Sequence, residues 1–239
     1  MAGTLLELLT AHLLADFVLQ FRWIYENKRN PLVLLLHVAI VTVLSALFIG
    51  SLAWPLLAIL FVTHLAADAA KTLAFGDKLP AFLADQFFHL AVLAILAATL
   101  PVPAEANHLF GLLPGPWKPL YFPALTVISG LVAAVFAGGY LVGKVLAPFA
   151  VALPETPEGL KGAGAAIGKA ERSLIFLLIL IGQPAGIGFL VAAKSIMRIG
   201  EISQPDQRKM AEYIIIGTFL SFAWAILAGS LTQCVLALW

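Results

Sequence analysis

The sequence predicts an all-α polytopic integral membrane protein, and its composition is the first reason. Hydrophobic residues make up 62% of the 239 residues and charged residues only 11%, against about 45–50% and about 25% in soluble globular domains. The mean hydropathy is +1.00. These values exclude a soluble enzyme, a disordered chain and a nucleic-acid-binding protein with a basic face. The net charge of +1 indicates no bulk electrostatic partner.

Apolar segments of membrane-spanning length are the second reason. A helix needs about 20 mostly apolar residues to cross a bilayer. Segments that meet or nearly meet this length run roughly over 4–24, 31–50, 52–72, 80–100, 121–148, 173–193 and 213–236. We divide this single membrane domain into a four-helix polar half at 1–100, a proline-rich outer loop at 101–120 and a C-terminal helical half at 121–239.

The basic residues of the short loops predict the orientation. Nine of them follow segments 1, 3 and 5: Arg22, Lys28, Arg29, Lys71, Lys78, Lys144, Lys161, Lys169 and Arg172. The opposite loops before residue 173 carry only Lys118. The positive-inside rule then places the basic loops in the cytoplasm of a bacterial inner (cytoplasmic) membrane, with the N-terminus outside.

Segment 6 leaves two topologies open. It is broken by Gly182-Gln183-Pro184-Ala185-Gly186, and proline within a helix removes a backbone donor. A kinked span gives seven transmembrane helices, and hydropathy favours it. A re-entrant hairpin gives six, and charge favours it because the basic residues after segment 6 then also lie inside. Gly139-x-x-x-Gly143 in segment 5 suits close helix packing.

Polar residues in the first four segments break the apolar pattern. The motifs are His12-x-x-x-Asp16-x-x-x-Gln20, the single His37, His64-x-x-x-Asp68-x-x-Lys71 and Asp85-Gln86-x-x-His89. Residues three or four positions apart share a helix face, so each motif forms one stripe. An imidazole and a carboxylate one turn apart can converge on one cation, by the spacing that zinc-binding histidines use.

Depth indicates that these stripes meet. At about 1.5 Å per residue, all seven His and Asp positions lie about 6–18 Å from the predicted cytoplasmic ends of their helices. Helices joined by short loops are usually neighbours, so we expect one cluster. An Asp at a helix centre costs about 2.5–3.5 kcal/mol to insert. A chain with few charges has therefore placed several where they are most costly, and a cation is the natural compensation.

The candidate site follows from these residues. We predict a divalent metal, Zn²⁺, Mn²⁺ or Fe, as one or two ions. The predicted metal ligands are His12, Asp16, His64, Asp68, Asp85 and His89, with His37 as a ligand or the partner of one. Lys71 and Gln20 are the predicted catalytic residues, Lys71 to steady an anionic oxygen. For Lys71 an alternative is that it only reaches the interface beside Asp68.

Other charged residues receive separate assignments. Arg172, Lys194 and Arg198 are predicted to hold an anionic head group or substrate, with interface ion pairs as the alternative. We expect Glu7 at the opposite membrane interface and His108 solvated in the outer loop.

The motifs resemble those of an uncharacterised bacterial family of membrane proteins, known only as a domain of unknown function. The resemblance covers roughly residues 5–100 and rests on the three motifs that begin at His12, His64 and Asp85. The stretches around Glu171-Arg172 and over 193–198 and 212–218 resemble the C-terminal half of its members. The resemblance supports the site and implies no established activity. His and Asp clusters on membrane helices are also similar to those of membrane-bound metal-dependent hydrolases, by analogy.

Three functions remain open on the sequence. The first is a membrane-embedded metal-dependent hydrolase acting on a lipid or lipid-linked phosphate at the cytoplasmic leaflet. The second is a transporter of a divalent metal or of protons, since intramembrane His and Asp also mark ion pathways. The third is a structural or partner-binding membrane subunit. The few polar residues toward the outer leaflet favour the enzyme. Membrane lipid is the expected partner, a lipid-like or anionic molecule the expected substrate, and no nucleic acid is expected.

Overall fold

The computed structural model describes residues 1–151, 162–196 and 205–239, with the side chains of 205–208 excepted. The structure is 85% helical, and no strand occurs among the described residues. The α-helices are α1 Ala2–Phe17, α2 Arg22–Asn27, α3 Pro31–Phe48, α4 Trp54–Ala70, α5 Leu79–Thr99, α6 His108–Leu112, α7 Tyr121–Val132, α8 Gly138–Ala150, α9 Ala163–Leu180, α10 Ala185–Ile196 and α11 Pro205–Leu236. The prediction of an all-α polytopic membrane fold is confirmed.

Within the described residues, five helical stretches are long and apolar enough to cross a membrane. They are Pro31–Phe48, Trp54–Phe75, Leu79–Thr99, Gly115–Ala150 and Lys209–Leu236. Two of them continue through π-helical turns, Lys71–Phe75 and Ala133–Ala137. Predicted segments 1 and 6 do not reach this standard as single helices.

Segment 1 is shorter than predicted. We expected a helix over 4–24, but α1 ends at Phe17 and α2 is a separate short helix. At the break the amide of Leu19 donates to Leu14 O at 2.8 Å, and the amide of Phe21 donates to Leu19 O at 2.9 Å. The chain therefore turns at 18–21, in a stretch that hydropathy does not distinguish from the helix.

Segment 6 is a helical hairpin, which was one of the two predicted alternatives. If α9 and α10 continued in one direction, Glu171 and Lys194 would lie about 35 Å apart at 1.5 Å per residue. Instead Lys194 Nζ lies 2.6 Å from Glu171 Oε1. At the turn, Gly182 adopts a left-handed conformation with φ of +71°, which glycine reaches at little cost. The kinked continuous span is therefore not the structure adopted.

The chain forms two compact units. The first comprises Met1–Ser129 with Trp239, and the second comprises Gly130–Leu238. In the first unit, α1 packs against α3 and α5, and α4 packs between α3 and α5, so four helices enclose one interior. In the second unit, α11 packs against α8 and α9, and α10 packs on α9.

Proline and side-chain caps position the helix starts of the first unit. Pro31, Pro55 and Pro80 lie in the first turns of α3, α4 and α5, where the missing amide hydrogen costs nothing. The Asn30 side chain accepts a hydrogen bond from Leu32 N at 2.9 Å. These boundaries fix which residues of each helix reach the interior.

The interior of the first unit is apolar at one end and polar at the other. The apolar end is a core of Leu8, Ile49, Leu56, Leu57, Leu60, Leu93 and Leu96. These residues come from the start of α1 and α4 and the end of α3 and α5. The opposite ends of the same helices carry the His and Asp residues, because neighbouring helices in the ring run in alternating directions.

Glu7 lies at the apolar end of the interior. We had expected it at the opposite membrane interface, but it is not exposed there. It is buried, with 2% of its surface exposed. Asn107 Nδ2 donates to Glu7 Oε1 at 2.7 Å and to Phe48 O at 3.0 Å. Tyr121 Oη also donates to Phe48 O at 2.7 Å. This network fixes the loop before α6 to α1 and α3, whereas the neighbouring His108 is exposed as predicted.

We predict that Asn107→Ala destabilises the protein. The substitution leaves the buried Glu7 carboxylate without its amide donor, and an unsatisfied buried polar group costs about 1–3 kcal/mol, more if it is charged. Thermal unfolding of the purified protein in detergent measures the loss. The control His108→Ala changes an exposed neighbour and is expected to leave the unfolding temperature unchanged. Equal unfolding temperatures for the two variants would refute the role of this network.

Candidate metal centre

Four helices bring every predicted metal ligand into one buried cluster in the first unit. Its members are His12 and Asp16 from α1, His37 from α3, His64 and Asp68 from α4, and Asp85 and His89 from α5. All seven are buried. We call this set the His/Asp cluster. The i, i+4 spacing works as expected, since each of α1, α4 and α5 presents its imidazole and carboxylate on the face that points into the ring.

Two triads within the His/Asp cluster have the spacing of metal sites. Asp16, His37 and His64 offer one ligand atom each within 4.8 Å of one another, and so do His64, Asp68 and His89. In the first triad, His37 Nε2 lies 3.4 Å and His64 Nε2 lies 3.6 Å from Asp16 Oδ1. His64 belongs to both triads.

Asp68 connects the two triads through its two oxygens. Its Oδ2 lies 3.3 Å from His37 Nε2 and 3.8 Å from His64 Nε2. Its Oδ1 lies 3.9 Å from His89 Nε2. A carboxylate that turns one oxygen toward each of two positions is arranged as a bridging ligand would be.

Several cluster atoms have no hydrogen-bond partner among the described residues. They are His12 Nδ1, Asp16 Oδ1, Asp85 Oδ1 and His89 Nε2. Asp85 Oδ1 and His89 Nε2 lie 3.3 Å apart, but not in hydrogen-bonding geometry. Buried polar atoms nearly always find hydrogen-bond partners, so these four atoms are candidates to bind a further ligand. Imidazole nitrogen and carboxylate oxygen together suit Zn²⁺, Mn²⁺ or Fe.

Amide side chains contact the cluster from its edge. Gln20 Nε2 lies 3.3 Å from His37 Nε2, and Gln86 Oε1 lies 3.3 Å from His12 Nε2. Gln20 was predicted to share a helix stripe with His12 and Asp16. It reaches the cluster instead from the turn after α1, because the helix ends at Phe17.

Two lysines bind carboxylates of the cluster. Lys71 Nζ lies 2.7 Å from Asp85 Oδ2 and not beside Asp68, the partner that its position on the α4 stripe had suggested. Lys28 Nζ lies 2.7 Å from Asp68 Oδ2. In metal centres, hydrogen bonds of this kind orient the ligating carboxylates. Sequence reasoning counted Lys28 only as a loop charge, since nothing in the pattern links a residue after α2 to α4.

Two of the three predicted head-group residues are described, and each has a partner within the second unit. The Arg172 guanidinium is buried, with Nε and Nη2 donating to Val135 O at 3.1 and 2.9 Å, and Nη1 donating to Ser221 Oγ at 3.0 Å. Lys194 pairs with Glu171. Arg198 lies outside the described residues.

Arg172 and Trp224 both bind the π-helical turn at Ala133–Ala137. Trp224 Nε1 donates to Ala133 O at 2.8 Å, while Arg172 binds Val135 O. Glycines make room for both side chains. A Cβ at Gly138 would lie 2.3 Å from Trp224 Cδ1, and one at Gly139 would lie 2.9 Å from Arg172 Nη2. Arg172 therefore organises the interior of its own unit.

Comparison with known proteins identifies a family and no activity. Residues 4–111 match the model of a family described as a protein of unknown function (DUF3307). The match confirms the resemblance of this part of the chain to an uncharacterised family. The match includes every member of the His/Asp cluster. No curated protein and no solved structure matches the chain.

We predict that Gly138→Ala destabilises the protein while Gly143→Ala does not. The new methyl group at 138 would overlap the Trp224 ring, and overpacking costs about 1–3 kcal/mol. A Cβ at Gly143 meets nothing within 4 Å, so alanine there is expected to be neutral or to stabilise the helix by up to about 1 kcal/mol. Thermal unfolding in detergent compares the two variants. Destabilisation of equal size in both would contradict the proposed close packing at 138.

Proposed function

We propose that the protein is a membrane-embedded metal-dependent enzyme, a hydrolase acting on a lipid or lipid-linked phosphate. The observation that carries the proposal is the convergence of four His and three Asp from four helices, with four of their buried atoms making no hydrogen bond among the described residues. A network that served packing alone would satisfy its own hydrogen bonds, because an unpaired buried polar atom is costly.

The ligand set supports one or two divalent ions. His12, Asp16, His37, His64, Asp68, Asp85 and His89 are the proposed ligands. A bound metal would activate a water molecule and polarise the scissile phosphate ester. The chain's own residues position this centre. Lys28 and Lys71 bind the carboxylates of Asp68 and Asp85, and Gln20 and Gln86 contact the imidazoles of His37 and His12.

The position of the His/Asp cluster supports a substrate at one leaflet. The cluster occupies the ends of α1 and α4 and the starts of α3 and α5. The segments joining these ends, 18–30 and 71–79, carry the basic residues that we assign to the cytoplasm of a bacterial inner membrane. The apolar core fills the other half of the ring, so a substrate would reach the centre from the basic end.

A second candidate, a divalent-metal or proton transporter, gains support from buried polar residues beyond the cluster. Thr10 Oγ1 and Ser129 Oγ lie 2.8 Å apart in the interior, and Glu7 is buried with Asn107 nearer the other end of α1. The sequence had suggested few such groups toward that side. Intramembrane acidic groups mark ion pathways, so this arrangement is the specific reason to keep the alternative.

We predict that the purified protein retains about one or two divalent ions per chain and that His64→Asn loses them. His64 contributes to both triads, so its removal weakens either position, whereas His108→Ala alters an exposed histidine outside the cluster. Elemental analysis of protein purified without chelators measures the ions, and thermal unfolding checks that each variant is folded. Wild-type protein that stays metal-free after incubation with Zn²⁺, Mn²⁺ and Fe²⁺ would refute the proposed centre.

Reconstitution of the protein in liposomes distinguishes transport from hydrolysis. If the protein is the proposed hydrolase, the reconstituted wild type releases phosphate from a phosphatidic acid substrate and shows no flux of metal or protons. If it is a transporter, flux is present and Glu7→Gln reduces it about tenfold or more, because the variant removes an ionisable group from the path. Flux in the wild type without phosphate release would overturn the enzyme in favour of the second candidate.

A further inference from the structure

Two lysines stand between the His/Asp cluster and the basic end of the first unit. Lys28 follows the last residue of α2, and Lys71 begins the π-helical turn at the end of α4. They come from different connecting segments, yet each ends on a carboxylate of the cluster at 2.7 Å. From the sequence, Lys71 was predicted to be catalytic, whereas Lys28 was counted only as a loop charge.

Each ammonium group has donors to spare. An ammonium carries three N–H donors, and each lysine makes one ion pair among the described residues. The side chains are partly accessible, 11% for Lys28 and 21% for Lys71, whereas the carboxylates behind them are buried. The remaining donors can therefore bind a group that approaches from outside while the carboxylates stay held.

The surroundings of the lysines favour an anion. The connecting segments 18–30 and 71–79 contain Arg22, Lys28, Arg29, Lys71 and Lys78 against Glu26 and Asp77. Glu26 is already paired with Arg22, and Asp77 accepts a hydrogen bond from Tyr25. The connections at the other end of the ring, 49–53 and 100–120, contain a single basic residue, Lys118.

Exposed aromatic residues favour a position of this end at head-group level. Trp23 and Tyr25 are 58% and 37% exposed and precede Lys28 in the same connecting segment. Trp and Tyr side chains concentrate at the membrane–water interface. The phosphate of a lipid would therefore meet the lysines at the depth where lipid phosphates lie.

We infer that Lys28 and Lys71 form a phosphate-binding pair that holds a phosphate monoester over the His/Asp cluster. This inference rests on the proposed function and names the group that its substrate presents. Lys28 binds from the α2 connection and Lys71 from the end of α4, so the phosphate lies between two segments of the first unit. The same chemistry fits free phosphate and the phosphate of a lipid.

The test measures binding of inorganic phosphate to metal-loaded protein in detergent by calorimetry, with metal content determined on the same samples. Lys28→Gln and Lys71→Gln are expected to weaken phosphate binding about tenfold or more, since each removes charged hydrogen bonds. The comparison is made at saturating metal and per bound ion, because the same lysines orient carboxylates of the cluster. The matched control is Arg22→Gln, because Arg22 is exposed and paired with Glu26; its phosphate affinity is expected to be unchanged.

A second measurement uses the wild-type protein alone and does not depend on the folding of a variant. Phosphate is expected to protect Lys28 and Lys71 from acetylation by acetic anhydride, with the exposed Lys78 as the internal control. Phosphatidylcholine vesicles with and without phosphatidic acid distinguish the sources: protection only with phosphatidic acid assigns the site to a lipid, and protection by inorganic phosphate alone assigns it to the free ion.

The results that would overturn the phosphate-binding pair differ from those that would refute the metal centre. Metal retained with phosphate affinity unchanged in both lysine variants, or equal protection of Lys78, overturns the phosphate pair and leaves the metal centre in place. A metal-free wild type refutes the centre, whatever the lysines bind.

Discussion

The structure of the first unit depends on the need to compensate buried charge within an apolar ring of helices. Three carboxylates lie in the His/Asp cluster, and an ionised carboxylate without a partner is very costly away from water. Lys28 and Lys71 each neutralise one of them, and Asp16 is surrounded by His12, His37 and His64. Because these contacts join α1, α3, α4 and α5, the polar cluster also sets how the four helices face one another.

This constraint explains why the connections at the basic end have defined structure. Lys28 can reach Asp68 only because α1 stops at Phe17 and the chain turns back through α2. The same turn brings Gln20 to His37. Different contacts close the opposite end. Asn107 and Tyr121 bind the end of α3, and Asn107 also binds Glu7. Each end of the ring is thus closed by polar contacts from outside the four helices.

The sequence predicted the His/Asp cluster well because its spacing and depth are local properties. A carboxylate four residues from an imidazole shares its helix face, and alternating helix directions bring such pairs to one end. The break after Phe17 was missed because the apolar run continues through Val18 and Leu19. Lys28 and Asn107 were missed for another reason: their partners lie 40 and 100 residues away, and no periodicity encodes such distances. The hairpin of α9 and α10 was foreseen only as an alternative, since charge and hydropathy gave opposite indications.

The membership of His64 in both triads has a consequence for how ions would fill the centre. The nitrogen that faces Asp16 and Asp68 is the same Nε2, and it has one lone pair to give. Occupation of either triad would therefore take a ligand from the other, and two ions would bind with negative cooperativity. A second ion would have to recruit His12 Nδ1 or Asp85 Oδ1, which make no hydrogen bond among the described residues. If the proposed centre takes two ions, they would therefore load stepwise, one tightly and one more weakly.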